Sequence, residues 1–164
     1  MDHIINEIKR ALLAGHFHVA LLSTLTMPDI CAALESPNGV NEKALYLAWC
    51  RKWFTSYTFL TAEDIYYLRC GVVHQGRLGH TRSNYKRVVF TLPNSHLNVY
   101  HNNVMGDALN LDLVIFCTDM ASAVERWYAT QQHDPNVQRN LMGLLQYHEH
   151  GLAPYFGGNV PIIA

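Results

Sequence analysis

Ile4, Ile5, Ile8, Leu12 and Leu13 recur at helical spacing, with Glu7, Lys9 and Arg10 mostly off that side. The chain from about Ile4 to Leu13 is therefore predicted as an amphipathic helix that stops or bends near Gly15. A second apolar segment runs from Phe17 to Leu25. Thr26-Met-Pro-Asp29 then reads as a fresh helix start, with Thr26 as cap, Pro28 in the first turn and Asp29 near the amide-rich end. Ser36-Pro-Asn-Gly39 is a turn. The next helix, roughly Asn41 to Trp53, sets Leu45, Trp49 and Trp53 on one stripe. Thr61-Ala-Glu-Asp64 is an N-terminal capping sequence, opening a helix through Leu68 and Arg69 toward His74, with Gly76 and Gly79 to end it.

From Tyr85 the period changes. Val88, Phe90 and Leu92 alternate with Arg87, Val89 and Thr91, and Pro93-Asn-Ser95 turns the chain toward Leu97, Val99 and His101. That alternation predicts a β-hairpin at about 85–101, set in an insertion of about 82–104. Helical spacing returns from about Leu111 to Thr130 and again from Asn136 to His148, the latter presenting Val137, Leu141, Leu144 and Leu145. The apolar tail, 151–164, reads as an extended strap. The expected fold is one mainly α domain, an up-and-down helical bundle interrupted by one hairpin.

Composition narrows the possible functions. With 164 residues and 49% hydrophobic positions, the chain can bury a core and is not a disordered polymer. Its formal charge of −1 excludes a bulk polycation, and only 15% charged residues predicts a sparsely charged surface that favours self-association. Cys31, Cys50, Cys70 and Cys117 are too scattered for a zinc site and read as reduced core thiols. No apolar run reaches the ~18 residues of a membrane helix, and Met1-Asp-His-Ile lacks the basic start of a signal peptide. A cytoplasmic protein with no membrane partner is expected.

The total charge hides an asymmetry. Between Ile65 and Gly106 there is no Asp or Glu, while Arg69, Arg77, Arg82, Lys86 and Arg87 give +5 against −6 elsewhere. The same stretch carries His74, His80, His96 and His101, together with Tyr66, Tyr67, Tyr85 and Tyr100. Cations interleaved with aromatic rings suit phosphates and unstacked bases, although a charge run is also simply a solvated face.

This stretch begins at Arg69-Cys-Gly-Val-Val-His74, late in a helix. An Arg followed five residues later by His, in a small α bundle, resembles the RX4–6H motif of the HEPN superfamily. The resemblance covers most of the first ~75 residues and the helical C-terminal part, with the hairpin as an insertion. It implies a metal-independent endoribonuclease, often a toxin or effector in a prokaryotic defence or toxin–antitoxin system. It also implies a homodimer with a composite site, and an antitoxin or other controlling protein. Cys70 stands where active members commonly carry a polar residue. A non-catalytic nucleotide-binding, RNA-binding or scaffold module is therefore the alternative.

The chemistry is arguable from the residues themselves. A neutral His74 can take the 2′-hydroxyl proton of RNA, or donate one to the leaving oxygen. Arg69 can grip the phosphate and stabilise the added charge, and no metal or other cofactor is called for. Arg77, Arg82, Lys86 and Arg87 are candidates to track the RNA backbone. Asp29 and Gln75 are candidate supporting residues, Asp29 by orienting His74 or simply as a carboxylate at a helix start. Five residues at about 100° each set Arg69 and His74 roughly 140° apart. The expectation is that either Gly71 permits distortion or two copies converge across a dimer axis. The bland alternative pairs Arg69 with Glu63 or Asp64 and leaves His74 at a helix end.

Other motifs carry less. His16-x-His18 and His148-x-His150 diverge by about 200° on a helix and do not chelate there. No phosphate loop, HExxH or GxSxG sequence is present. Trp49, Trp53 and Trp127 read as core or dimer interface. A plain interaction protein, using its tryptophans and apolar tail as an assembly surface, is the third class.

Overall fold

A computed structural model describes residues 1–93 and 99–164. The fold is mainly α. Its helices are α1 (Asp2–Leu13), α2 (Phe17–Glu35), α3 (Lys43–Trp53), α4 (Ala62–Gln75), α5 (Leu113–Gln131) and α6 (Pro135–Leu141). Short strands β1 (Arg87–Thr91), β2 (Asn103–Met105) and β3 (Ala108–Asp112) form one small sheet. A second pair is β4 (Tyr147–His148) with β5 (Ile162–Ile163).

The core is organised around α2, against which α1, α3, α4, α5 and α6 all pack. No helix boundary falls at Thr26–Asp29; α2 runs through Pro28. Proline lacks the N–H that would serve the Thr24 carbonyl, and an interior proline costs about 3 kcal/mol. Here Leu25, Met27, Pro28, Cys31 and Leu34 are all buried, so packing from several sides outweighs the lost bond. Continuity changes the membrane reading too. With mean hydropathy 1.4 over an 18-residue window, α2 is long and apolar enough to cross a membrane by composition alone. Half of that window is buried inside the fold, as suits a central core helix.

In the sheet the correction concerns strand partners. The strand expected from Val88 onward exists, but it pairs in parallel with β3 (Val88 with Leu109, Phe90 with Leu111). The hairpin is β2–β3, closed by Gly106-Asp107 with Gly106 at φ +63°. Alternation identifies a strand without naming its neighbour. The expected turn at Pro93-Asn-Ser95 and the start of its second strand lie mostly in 94–98, outside the described residues. β3 is buried through Leu109, Asn110 and Leu111, and Asp112 caps α5 by accepting from the Ile115 amide at 2.9 Å.

α6 is shorter than the periodicity implied. Asp134 caps it and Pro135 opens it, but the chain leaves the helix after Leu141. Leu145, expected on that helix, lies beyond its end and is exposed. The tail does not pack as a strap. It folds back as β5 on β4 and projects Tyr155 and Phe156 into solvent. Trp49 and Trp127 are core residues, and Trp127 donates to Glu35 at 2.8 Å. Cys31, Cys50 and Cys117 are buried thiols, while Cys70 is half-buried.

α4 and the loop after it depend on one carboxylate. Asp64 closes the expected capping box with Thr61. It also accepts from the Ser83 hydroxyl (3.2 Å), the Asn84 amide (2.9 Å) and the Asn84 side chain (3.0 Å). Burial alone would raise its carboxyl, but the Asn84 and Thr61 donors hold it below the usual carboxylate value. A depressed carboxyl stabilises the fold above its unfolded value of about 3.9, and that stability disappears as pH falls through the folded value. Asp64→Ala should therefore lower unfolding free energy by about 2 kcal/mol at neutral pH. In urea titrations its gap from wild type should narrow below about pH 4. A gap that widens in acid would contradict this role.

Candidate functional site

α2 and α4 cross so that Asp29, on α2, faces Arg69, on α4. The Arg69 Nε–H donates to Asp29 Oδ2 at 2.7 Å, and the Asn41 side-chain amide donates to Asp29 Oδ1 at 2.7 Å. Both charged side chains are about one-fifth exposed, which makes this pair the most enclosed among the described ion pairs. Burial pushes the Asp29 carboxyl up and outweighs the lowering by Arg69. Burial works against the Arg69 charge as well, but Asp29 raises the guanidinium above its ordinary value.

The far end of the same guanidinium reaches His74. Arg69 Nη1 lies 2.7 Å from His74 Nε2. Arginine carries only donors, so a hydrogen bond at this contact requires Nε2 as the acceptor and the ring proton on Nδ1. The two side chains were expected to diverge on one helix. They meet because the long arginine stem spans the angle while Asp29 anchors its Nε side. Neither distortion at Gly71 nor a second copy is needed for the contact. Asp29 orients Arg69 rather than touching His74. The bland pairing is also corrected, because Glu63 pairs with Arg51 and Asp64 is the loop hub.

Gly71 has a different role. A Cβ there would sit 2.6 Å from the Gly79 carbonyl oxygen and 2.8 Å from that of Arg77. The chain after α4 thus lies directly on the helix, with the Arg77 amide donating to the Gly71 carbonyl at 3.0 Å and Gly76 left-handed at φ +62°. This apposition shapes a polar hollow of about 520 Å³, bordered by Gln75, Arg77, His80 and Lys86. Three of the sequence-derived candidates (Gln75, Arg77 and Lys86) therefore meet just beyond His74. Lys86 also reaches Asp107 at 3.4 Å across exposed surface. Arg82 and Arg87 do not line this hollow.

Arg82 instead belongs to an aromatic cluster. His80 stacks on Tyr67 with centroids 4.8 Å apart, and its Nδ1 accepts from the Arg82 amide at 3.1 Å. Lys43 donates to the Tyr67 hydroxyl at 2.9 Å, which favours the phenolate and lowers Tyr67 from its usual value. Lys43 also borders a depression of about 400 Å³ beside Asp29 and Arg69. Sequence reasoning missed Lys43 and Asn41, because both lie before α4 and only the α2–α3–α4 packing brings them to it.

No protein-family model matches the chain, and no curated protein or solved structure matches it either.

Gly71→Ala separates helix preference from loop docking. Alanine in a helix interior is ordinarily favoured over glycine by about 1 kcal/mol. Here the added methyl should instead destabilise by about 1–3 kcal/mol and expose the 77–86 loop to limited proteolysis. A stabilised variant with unchanged cleavage would contradict the close approach.

Proposed function

We propose that this chain is a HEPN-type endoribonuclease that cleaves RNA without a metal ion, with Arg69 and His74 as its catalytic residues. The observation that carries this reading is the 2.7 Å contact of Arg69 Nη1 with His74 Nε2, held from behind by Asp29. It supports a resting state in which the base is neutral and the phosphate ligand already points at it.

When RNA binds, an Arg69 N–H exchanges its acceptor, His74 Nε2, for a phosphate oxygen, freeing the Nε2 lone pair. Nε2 takes the 2′-hydroxyl proton and the 2′-oxygen bonds to phosphorus. The bond from phosphorus to the 5′-oxygen breaks, and that oxygen takes a proton from solvent or from the imidazolium that His74 became on taking the 2′-hydroxyl proton. Arg69 stabilises the charge that accumulates on the phosphoryl oxygens. Gln75, Arg77 and Lys86 contact the strand beyond the scissile bond, and Arg82 and Arg87 steer it. The biological setting is a cytoplasmic toxin or effector, restrained by an antitoxin or controlling protein.

A second reading has its own support. Asp29 already offsets the Arg69 charge, an arrangement that also suits a non-catalytic nucleotide- or RNA-binding scaffold. Cleavage of single-stranded RNA in EDTA distinguishes the two. Fragments should end in 2′,3′-cyclic phosphate, and His74→Ala should slow their formation about 100- to 10,000-fold. Salt-dependent binding without turnover by wild type would favour the scaffold. Cleavage that survives His74→Ala would remove the catalytic assignment.

A further inference from the structure

An apolar cavity of about 340 Å³ opens between α2, the end of α4, β1 and the start of α5. Phe17 and Leu21 lie on α2, Val72 on α4 and Phe90 on β1, and the buried part of the lining comes from Leu21 and Leu113. Its size falls in the range of small-molecule sites. Among the described residues only two that line it are ionisable, His18 and Arg77, and none is a carboxylate. Arg77 is fixed at the backbone because its N–H donates to the Gly71 carbonyl, and its guanidinium forms no ion pair with any described residue.

We propose that this cavity binds an apolar-tailed carboxylate of medium chain length, with the tail between α2 and β1 and the headgroup on Arg77. The argument is charge complementarity at an otherwise hydrocarbon-lined site. A hydrocarbon tail gains from leaving water, and a bidentate carboxylate satisfies a guanidinium that has no acid beside it. A purely apolar ligand would leave that cation unused, and an alkylammonium would meet like charge. The cavity contains neither Arg69 nor His74 but shares Arg77 with the polar hollow, so carboxylate binding is measured on the protein without RNA and does not depend on the ribonuclease reading.

Decanoate, decanol and decyltrimethylammonium test the proposal, each titrated below its aggregation concentration and followed by calorimetry and thermal unfolding. Decanoate should bind saturably, raise Tm and bind about tenfold more tightly than decanol. The ammonium compound should not bind. Arg77→Met should reduce decanoate to the affinity of decanol. Leu22→Trp, at a partly exposed lining position, should abolish binding of both while leaving the circular dichroism spectrum of the free protein unchanged. Equal affinity for decanoate and decanol in wild type would overturn the assignment. So would failure of decanoate to bind, or binding that survives Leu22→Trp in a folded variant.

Discussion

The Asp29–Arg69 ion pair links the central core helix to the helix that bears the candidate chemistry, and the site geometry follows from it. A free arginine on α4 would sample many rotamers and spend little time near His74. Anchoring Nε to a carboxylate on α2 removes much of that freedom and leaves Nη1 aimed along the helix toward the imidazole. Asn41 completes the arrangement by occupying the other carboxylate oxygen. Half-burial raises the energetic stakes, since a carboxylate withdrawn from water and then deprived of its arginine would be left uncompensated. The α2–α4 packing and the aim of the guanidinium are thus one constraint seen from two sides.

A second carboxylate governs what lies beyond His74. Asp64 serves the helix start and the returning loop at once, and Gly71 lets that loop rest on the helix backbone. Together they bring Arg77 and Lys86 from loop positions to the end of α4. The basic charge of the 65–106 stretch is consequently divided rather than pooled. Part borders the polar hollow, and part of it, Arg82, stands with Lys43 at the Tyr67–His80 stack.

Much of the helical fold was legible because local signals and burial agree there. Ile5 and Ile8 mark α1, the Thr61–Asp64 box marks α4, and Gly76 marks its end. Pro28 misled because a local rule was overridden by packing on several sides of α2. The strand pairing was illegible for a different reason. Val88 and Phe90 announce a half-buried strand, but their partners Leu109 and Leu111 follow a turn set by Gly106, not by Pro93. At the site, Arg69 and His74 were visible as a motif, whereas their mutual contact depends on side-chain length and on an anchor forty residues away. Asn41 and Lys43 carried no signal in the sequence that tied them to the motif.

The most direct test of this account is the protonation state of His74, read from two-bond proton–nitrogen correlations in a protein labelled with ¹⁵N histidine. A guanidinium donating to Nε2 requires an unprotonated, acceptor-type Nε2 and a protonated Nδ1 at neutral pH. Arg69→Gln and Asp29→Asn should each move that signal toward the ordinary mixture of tautomers, the first by removing the donor and the second by releasing it. A protonated Nε2 in wild type, or a His74 signal indifferent to both substitutions, would contradict the account.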